Sequence, residues 1–354
     1  MQTAPFDAVI VGHGLAGATL AWTFRLRGQR IAVIDQPRPD GASRVAAGLI
    51  TPLSGPKLIP AWGWSEAWPR ALTFYRRIEE RLQRTLLANL PAVRLFTSDE
   101  LRERFHVRFA RRNEGIIARE PMPFPNPEWF DAPFGAIEMT EAARLDVVAY
   151  LDASWQSLKE DDACYEASID PVHDIQLDNN GVFLPAFQLR AQRVFFCQGA
   201  TAQGQHWFDR VRFNPAKGEL LTVRIPAITE SRTIHQEVWL APIEEGLFRV
   251  GATFEWQQLD SLPTTAGREH LLARLKRFVK QPIEVVDQQA AVRPTMHDFR
   301  PVLGLHPDEP RVGIFNGLGA KGVLWAPWLA GCLADAVLHG QPIPAELDVQ
   351  RWFR

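Results

Sequence analysis

The spacing of apolar positions at the start of the chain predicts a strand, a helix and a second strand. Ala8 to Val11 is a short apolar run that ends at a glycine, which is typical of a strand buried on both faces. Leu15 to Arg27 carries its larger apolar side chains on one stripe and stops at Gly28, as a helix does. Arg30 to Asp35 is again apolar between its two charged ends. This order predicts the beginning of a parallel sheet with a crossover helix.

Later apolar runs predict more parallel strands at 192–197 and 311–315, followed by a long helix at 323–338. Antiparallel strands joined by turns are predicted over 218–225, 235–242 and 247–254, and helices over 65–90, 142–155 and 268–279. The fold class is therefore α/β with an α+β part. We predict a discontinuous Rossmann-type cofactor domain (1–75, 140–212 and 290–354) and an inserted antiparallel-sheet substrate domain (76–139 and 213–289).

Three glycines between the first strand and helix form the pattern Gly12-x-Gly14-x-x-Gly17. The first allows a tight turn, the second lets the backbone approach a pyrophosphate, and the third lets the helix pack against the strand. Free N–H groups at the helix start, including those of Leu15 and Ala16, favour a diphosphate. The pattern alone is weak evidence, and a glycine-rich turn is its alternative. Its strand, helix and later acid, Asp35, favour a dinucleotide without a 2′-phosphate.

Composition limits the class of protein further. A chain of 354 residues is long enough for two domains, and its net charge of −2 with no basic run gives no sign of nucleic acid as the main partner. The three cysteines lie far apart, so we expect thiols of a reducing compartment and neither a disulfide nor a metal site. Charged residues or prolines interrupt each apolar run, so we expect no membrane span and a cytoplasmic location.

Further motifs occur in a fixed order along nearly the whole chain. They are Ser43-Arg-Val-Ala-Ala-Gly48, Gln198-Gly-Ala200, Pro215-Ala-Lys-Gly-Glu219, Trp239-Leu-Ala-Pro242, Val250-Gly-Ala-Thr253, Ala291-Val-Arg-Pro-Thr, Arg300-Pro-Val-Leu-Gly304 and Gly317-x-Gly-Ala-Lys-Gly322 with Ala326-Pro327. Each is common singly. Together with the glycine pattern, they resemble the D-amino acid oxidase superfamily of FAD enzymes, nearest the glycine oxidase and sarcosine oxidase branch.

The resemblance implies FAD, bound without a covalent link because no cysteine or histidine stands where some relatives attach it. Its adenosine half is expected at the N-terminal glycines, Asp35 and Gln36, with a backbone contact from Val172. The loop passing the pyrophosphate and the flavin ring is expected to be Ser43, Arg44, Ala46, Ala47 and Gly48. The remaining contacts are expected from Gly199 and, at the pyrimidine end of the flavin, from Gly317, Gly319, Ala320, Lys321, Gly322 and Val323. Lys321 adds charge there, or is a solvated loop lysine.

Arg293 matches the arginine that pairs with the substrate carboxylate in the family, and a guanidinium suits that role. A structural arginine paired with an acid is the alternative. Trp239 replaces a tyrosine of glycine oxidase, and Ala320 replaces a second arginine, so glycine itself is a doubtful substrate. Arg249 either faces the flavin, as a cation does in sarcosine-oxidase-like relatives, or points to solvent.

The resemblance therefore implies oxidation of an amine that bears a carboxylate, an amino acid or an N-substituted glycine, by hydride transfer to flavin N5. Arg293 fixes the carboxylate, no protein base is obligatory, and oxygen or another acceptor takes the electrons. Two alternatives remain. One is a flavoenzyme that trims carboxymethylaminomethyl-uridine in tRNA, to which the Gly251–Glu255 and Gly319–Val323 runs are also similar. The other is a flavin-binding module without amine chemistry.

Overall fold

The computed structural model describes residues 5–36, 38–55, 57–111, 118–120 and 123–354. Within these ranges the helices are α1 Leu15–Arg25, α2 Ala42–Val45, α3 Trp64–Leu82, α4 Asp99–Arg111, α5 Val147–Glu160, α6 Thr265–Leu275 and α7 Gly322–His339. The strands are β1 Phe6–Val11, β2 Ile31–Asp35, β3 Leu49–Ile50, β4 Leu53–Ser54, β5 Ile59–Pro60, β6 Leu87–Asn89, β7 Ala92–Leu95, β8 Ala118–Arg119, β9 Ala136–Met139, β10 Ala143–Leu145, β11 Cys164–Glu166, β12 Gln176–Asp178, β13 Gly181–Leu184, β14 Leu189–Phe196, β15 Ala216–Arg224, β16 Thr233–His235, β17 Trp239–Glu244, β18 Leu247–Gly251, β19 Glu284–Arg293, β20 Val302–Leu305 and β21 Val312–Asn316.

The first large sheet is built around parallel strands from both ends of the chain. Its order is β11-β2-β1-β14-β13-β12, and β21 pairs with both β14 and β20. β1 pairs in parallel with β2 and β14, and β14 pairs in parallel with β21. From Ala8 to Val11 the residues of β1 are at most 4% exposed, because helices cover one face of this sheet and residues such as Phe208 and Val349 pack against the other.

The second large sheet is mostly antiparallel, in the order β19-β15-β18-β17-β16-β7-β9-β8. One pair departs from this, since β16 lies parallel to β7, which comes from a much earlier part of the chain. The sheet therefore combines strands from 92–139 with strands from 216–293. The domain boundary predicted at 289/290 falls inside β19, and the one predicted at 75/76 falls inside α3.

Helices α1, α3, α5 and α7 pack together on one face of the first sheet around a shared apolar core. Tyr75 of α3 is fully buried there and donates a hydrogen bond to the carbonyl of Val323 at the start of α7, at 3.0 Å. Residues 319–339, which include α7, are long and apolar enough to cross a membrane by composition. Of its apolar window, 56% is buried inside the fold, and the core helix of a folded protein passes the same test, so the expectation of no membrane span stays a prediction.

Several predicted elements differ from the structure in an instructive way. The end of the helix predicted over 65–90 contains a short strand, β6, and the start of the helix predicted over 142–155 is the strand β10. These pieces pair with each other and with β3 in a small sheet. The single strand predicted over 235–242 is two strands joined by a turn. Short buried apolar runs look alike in a helix and in a strand, so sequence periodicity does not separate them.

Candidate functional site

A cavity of about 1880 Å³ is lined by residues from both large sheets and from the loops that follow their strands. Most of the predicted site residues lie on its wall. They are Gly12, Gly14, Leu15, Ala16, Asp35, Gln36, Ser43, Arg44, Ala46, Ala47, Gly48, Gly199, Trp239, Arg293, Gly319, Ala320, Lys321, Gly322 and Val323. Gly17, Val172, Arg249 and Gly317 are outside the wall. We call the region around Gly12 to Ala16 the nucleotide end, and the region around Trp239 and Arg293 the substrate end.

At each of the three glycines of the nucleotide end, a β-carbon would come close to neighbouring atoms. Gly12 has a φ of +103°, and a β-carbon there would lie 2.6 Å from the carbonyl oxygen of Cys197. A β-carbon at Gly17 would lie 1.8 Å from the carbonyl oxygen of Gly12, so helix α1 packs against β1 only with glycine at that position. Gly14 faces the Ser43 hydroxyl, which accepts a hydrogen bond from the Leu15 N–H at 2.9 Å.

Asp35 ends β2 on the cavity wall, and burial raises the pKa of its carboxyl group. Backbone N–H groups of His13 and Gln36 counteract that shift. The adjoining wall is formed by Ala167, Ser168 and Ile169. Val172 lies beyond them with its side chain 50% exposed, and its N–H donates to the Asp170 carboxylate at 2.8 Å. Ile169, which lines the cavity, is therefore better placed than Val172 for the expected backbone contact to the adenine. The sequence did not single out Ile169.

His13 lies within the glycine loop and is buried, with its Nε2 atom lacking a hydrogen-bond partner among the described residues. Burial, followed by the nearby charge of Arg44, lowers its pKa to about 3, so the imidazole is neutral at pH 7. Its ring packs against Trp155, with centroids 5.0 Å apart. His13 is thus a polar group facing the cavity without a protein partner, in addition to being a turn residue.

Asn316 connects the two glycine loops that follow the adjacent parallel strands β14 and β21 of the first sheet. Its amide nitrogen donates to the Gly199 carbonyl at 2.9 Å, and its amide oxygen accepts from the Gly317 N–H at 2.8 Å. Gly317 is off the cavity wall, has a φ of +78° and packs against Met296. Asn316 itself is buried and lines the cavity. Sequence reasoning missed this residue, although its position directly before the last glycine loop was a usable signal.

Two arginines hold the loop that follows α2. Arg249 donates to the Val45 carbonyl at 2.8 Å and also bonds to the Gln289 side chain. Arg144 donates to the Ala47 carbonyl at 3.2 Å and to the Pro242 carbonyl at 2.8 Å. Arg249 shares a sheet face with Gly251, two residues away, but it contacts the back of this loop. It is neither on the cavity wall nor a solvent-facing side chain, so it fits neither of the two positions expected for it.

Helix α7 begins on the cavity wall with Gly322 and Val323, directly after Ala320 and Lys321. The free N–H groups of a helix start carry partial positive charge. The Lys321 side chain makes no ion pair with a described residue, and burial lowers its pKa to about 8. A solvated loop lysine would keep its ordinary pKa, so the structure favours the reading in which Lys321 adds charge to the cavity.

Arg293 ends β19 with its side chain directed over Gly218 of β15. A β-carbon at Gly218 would lie 1.9 Å from the Arg293 guanidinium, so glycine at this position makes the space for it. The guanidinium reaches only backbone carbonyls, those of Thr253 at 3.2 Å and Lys217 at 3.4 Å, and it stacks on Phe254 at 4.3 Å. Burial lowers its pKa to about 10, which leaves it charged at pH 7. Among the described residues it has no carboxylate partner, which argues against a structural ion pair.

Cross-strand neighbours extend this wall of the substrate end. Trp239 lies opposite Gly251, where a β-carbon would be 2.4 Å from the indole ring, so the ring lies over that glycine. On the other side Trp239 pairs with His235, and His235 pairs with Arg94 of β7. Both His235 and Arg94 line the cavity. Sequence patterns gave no signal for Arg94, since it lies in a short strand without a recognised motif.

The nucleotide end fits the diphosphate and adenosine of FAD. Gly12 and Gly14 form a cradle that side chains would fill, and the start of α1 lies on the same wall, where the Leu15 N–H expected to be free donates to the Ser43 hydroxyl. The orphaned Nε2 of His13 and the carboxyl group of Asp35 supply polar partners there. The α7 start with Lys321 supplies positive charge further along the cavity, where the isoalloxazine is expected.

Comparison with known proteins agrees with this reading. A family model described as DAO, FAD dependent oxidoreductase, matches residues 7–336. The chain is 26% identical to the tRNA 5-methylaminomethyl-2-thiouridine biosynthesis bifunctional protein MnmC of Marinobacter nauticus, over 93% of this chain and 55% of that protein. It is 31% identical to the glycine oxidase of Bacillus licheniformis, over 38% of this chain and 37% of that enzyme. The matches thus span about half or less of these relatives' lengths.

Among solved structures, the chain is similar to glycine oxidase from Geobacillus kaustophilus, with a TM-score of 0.79 and 22% identity. The superposition covers 99% of both chains. The predicted fold class, a Rossmann-type cofactor domain with a substrate domain, is confirmed. The prediction of FAD as the cofactor is confirmed by the family match.

Proposed function

Because the chain belongs to the DAO family of FAD-dependent oxidoreductases, we propose that it oxidises a small amine that bears a carboxylate. The proposed substrates are amino acids and N-substituted glycines. One observation supports this most directly: Arg293 is a charged, mostly buried guanidinium on the cavity wall, without a carboxylate partner among the described residues. A buried cation is costly unless it is paired, so a substrate carboxylate is the expected partner.

The residues of the substrate end bind and orient the amine. Arg293 holds the carboxylate, and Gly218 keeps the guanidinium from being displaced by a side chain. Phe254 and Trp239 form apolar walls of the cavity at this end. FAD, when bound, supplies a hydride acceptor. Orientation of the carbon next to nitrogen is then the main contribution of the protein, and the resulting imine is hydrolysed by water.

The direct test replaces Arg293 by Ala and by Lys and measures anaerobic reduction of the flavin with a panel of amines. The panel is glycine, N-methylglycine, D-amino acids, proline and iminodiacids. We expect the concentration of the best carboxylate substrate that half-saturates flavin reduction to rise about 100-fold or more in Arg293→Ala, because a buried charged contact is lost. Arg293→Lys should restore part of the affinity but not the two-pronged geometry.

Arg268→Ala is the matched control, since Arg268 is exposed on α6 of the same part of the molecule. Unchanged kinetics in Arg293→Ala would remove the carboxylate assignment. If no amine of the panel reduces the wild-type flavin, the amine oxidation itself is wrong, and a flavin-binding role without this chemistry becomes the better reading. The rate of reoxidation by oxygen then tells an oxidase from an enzyme with another acceptor.

A tRNA substrate is a second candidate, favoured by the similarity to the bifunctional protein MnmC across 93% of this chain. The modified uridine implied by the sequence resemblance is a secondary amine with a carboxylate, so Arg293 would serve it equally. The near-neutral net charge of −2 argues for the small amine instead. Binding of tRNA that weakens steeply with salt would favour the second candidate.

We also propose a cytoplasmic location. Cys164, Cys197 and Cys332 are all unpaired, as in proteins of a reducing compartment. Burial raises the pKa of all three thiols, so they are poorly reactive at pH 7.

A further inference from the structure

Arginine and lysine side chains on the cavity wall fall into two groups. Three have acidic partners: Arg38 lies near Asp40 at 3.5 Å, Arg44 pairs with Asp152 at 2.7 Å, and Arg274 lies 3.7 Å from Glu237. The other three, Arg94, Arg293 and Lys321, make no ion pair with any described residue. Arg293 is explained by the proposed substrate carboxylate. Lys321 lies at the start of α7, where the isoalloxazine is expected, and Arg94 has no role assigned so far; neither makes an ion pair with a described residue.

Arg94 and Lys321 share a neighbour, His235. Arg94 and His235 are direct cross-strand partners on β7 and β16. Burial, and then the charges of Arg94 and Lys321, together lower the pKa of His235 to about 3. The imidazole is therefore neutral, and its buried Nε2 has no hydrogen-bond partner among the described residues. The Nε of Arg94 lacks one as well.

The acid closest to this group is already engaged. Glu237 interacts with Arg94 over a longer distance, but its carboxylate pairs with Arg277 at 2.6 Å and lies 3.7 Å from Arg274. Burial lowers the pKa of Arg94 to about 10, so Arg94 is charged at pH 7. Two cations and a neutral hydrogen-bonding ring thus line one part of the cavity, and Glu237, which also lies on the wall, is within ion-pair distance of neither cation.

In strand order Trp239 lies between this group and Arg293, since β17 has β16 and β7 on one side and β18 and β15 on the other. The indole ring lies over Gly251 of β18, and the Arg293 guanidinium lies over Gly218 of β15. On the other side Trp239 pairs with His235. We propose that Arg94, His235 and Lys321 form a second anion-binding subsite of the cavity, and that the natural substrate is an amine with an anionic group at each end. This rests on the proposed function, which it deepens by naming the substrate class.

The sheet gives the separation of the two subsites. The Arg293 guanidinium lies over β15, and Arg94 lies on β7. Four strand steps separate β7 from β15 (β7, β16, β17, β18, β15), which is roughly 19 Å at about 4.8 Å per step. Long arginine and lysine side chains reach inward from both sides and shorten that gap. The second anion is therefore expected several bonds from the first, on the substituent of the amine nitrogen.

The test uses two thioethers that imitate such substrates, with sulfur in place of the amine nitrogen so that amine oxidation does not occur. One is 4-(carboxymethylthio)butanoate, which has two carboxylates. The other is the thioether (butylthio)acetate, in which a methyl group replaces the second carboxylate. Each is titrated into the oxidised holoenzyme, and binding is followed by the shift in flavin absorbance. We expect the second carboxylate to lower the dissociation constant by tenfold or more, of the order of a charged hydrogen bond.

In Arg94→Gln, this advantage of the two-carboxylate ligand should shrink to within about threefold. Lys321→Met is a second variant with the same expectation, in case Arg94→Gln fails to fold, and flavin content checks both. Arg268→Gln, an exposed charge removal on α6, should retain the full advantage. An advantage that is absent in the wild type, or that persists in both subsite variants, overturns the second subsite.

Failure of the proposed function gives a different result. If neither thioether binds and no carboxylate amine reduces the flavin anaerobically, amine oxidation is wrong. If N-butylglycine reduces the flavin as readily as N-(3-carboxypropyl)glycine at subsaturating concentrations, amine oxidation stands and the second subsite is overturned.

Discussion

At the nucleotide end of the cavity, backbone groups and their near neighbours form most of the wall, whereas at the substrate end each key side chain comes from a different strand. Gly12, Gly14 and Leu15 lie within four consecutive positions, and Ser43 completes their contacts. Arg94, His235, Trp239 and Arg293 lie on four separate strands of the second sheet. The nucleotide end therefore binds a common cofactor through conformation, and the substrate end sets specificity through side-chain charge.

The difference in conformation predicts the largest mutational effect. In Gly17→Ala the new β-carbon would lie 1.8 Å from the Gly12 carbonyl oxygen, so α1 and β1 must separate. We expect a loss of about 3 kcal/mol or more in the free energy of unfolding, together with loss of bound FAD. Urea denaturation and flavin content measure both.

Gly331→Ala is the matched control for that substitution. Gly331 lies within α7, and a β-carbon there meets nothing closer than 4.0 Å, so we expect no loss and a gain of up to about 1 kcal/mol from helix propensity. If Gly17→Ala were as stable as Gly331→Ala, close packing would not be the reason for glycine at 17, and the contrast between the two ends would weaken.

Sequence predicted the nucleotide end well because its parts are local. The Gly12–Gly17 pattern, the strand before it and Asp35 after it lie in one βαβ unit, where spacing determines position. Arg293 and Trp239 were found through family motifs, since nothing local distinguishes either residue. Both lie on the cavity wall, while their roles stay predictions.

Arg94 and His235 were missed because their juxtaposition depends on pairing between distant strands. β7 is only four residues long, and it pairs in parallel with β16, which follows about 140 positions later. A short run such as Ala92–Leu95 has too few positions for its period to be recognised. Sheet register, unlike a glycine loop, is decided by the whole fold.

Asn316 offers a test of intermediate size, because it is a side chain that fixes two backbone loops near the cofactor. Asn316→Ala leaves the Gly199 carbonyl and the Gly317 N–H without their buried partner. We expect a loss of about 2–4 kcal/mol in unfolding free energy and weaker FAD binding. Asn316→Asp keeps the acceptor for the Gly317 N–H but sets a buried carboxylate oxygen against the Gly199 carbonyl, so it should lose at least as much. A clearly smaller loss in Asn316→Asp would mean that the bond to the Gly317 N–H, and not the bond to the Gly199 carbonyl, matters most.

The smallest expected effect concerns His13, the polar side chain at the nucleotide end that lacks a partner among the described residues. Its pKa is lowered to about 3, chiefly by burial and then by the charge of Arg44, so the folded protein keeps the imidazole neutral down to that pH. The unfolded chain takes up a proton below about pH 6.5. The unfolded state then binds more protons, so stability is complete above pH 6.5 and falls as the pH drops towards 3.

In His13→Gln this titration is absent. The slope of unfolding free energy against pH should therefore flatten by at most about 1.4 kcal/mol per pH unit between pH 6.5 and 4, measured by urea denaturation with FAD in excess. His339→Gln, at the exposed end of α7, serves as the control and should leave the slope unchanged. An unchanged slope in His13→Gln would mean that His13 takes up protons equally in both states. The imidazole would then be accessible to water or a ligand. His13 would in that case resemble the polar side chains of the substrate end, which also lack partners among the described residues.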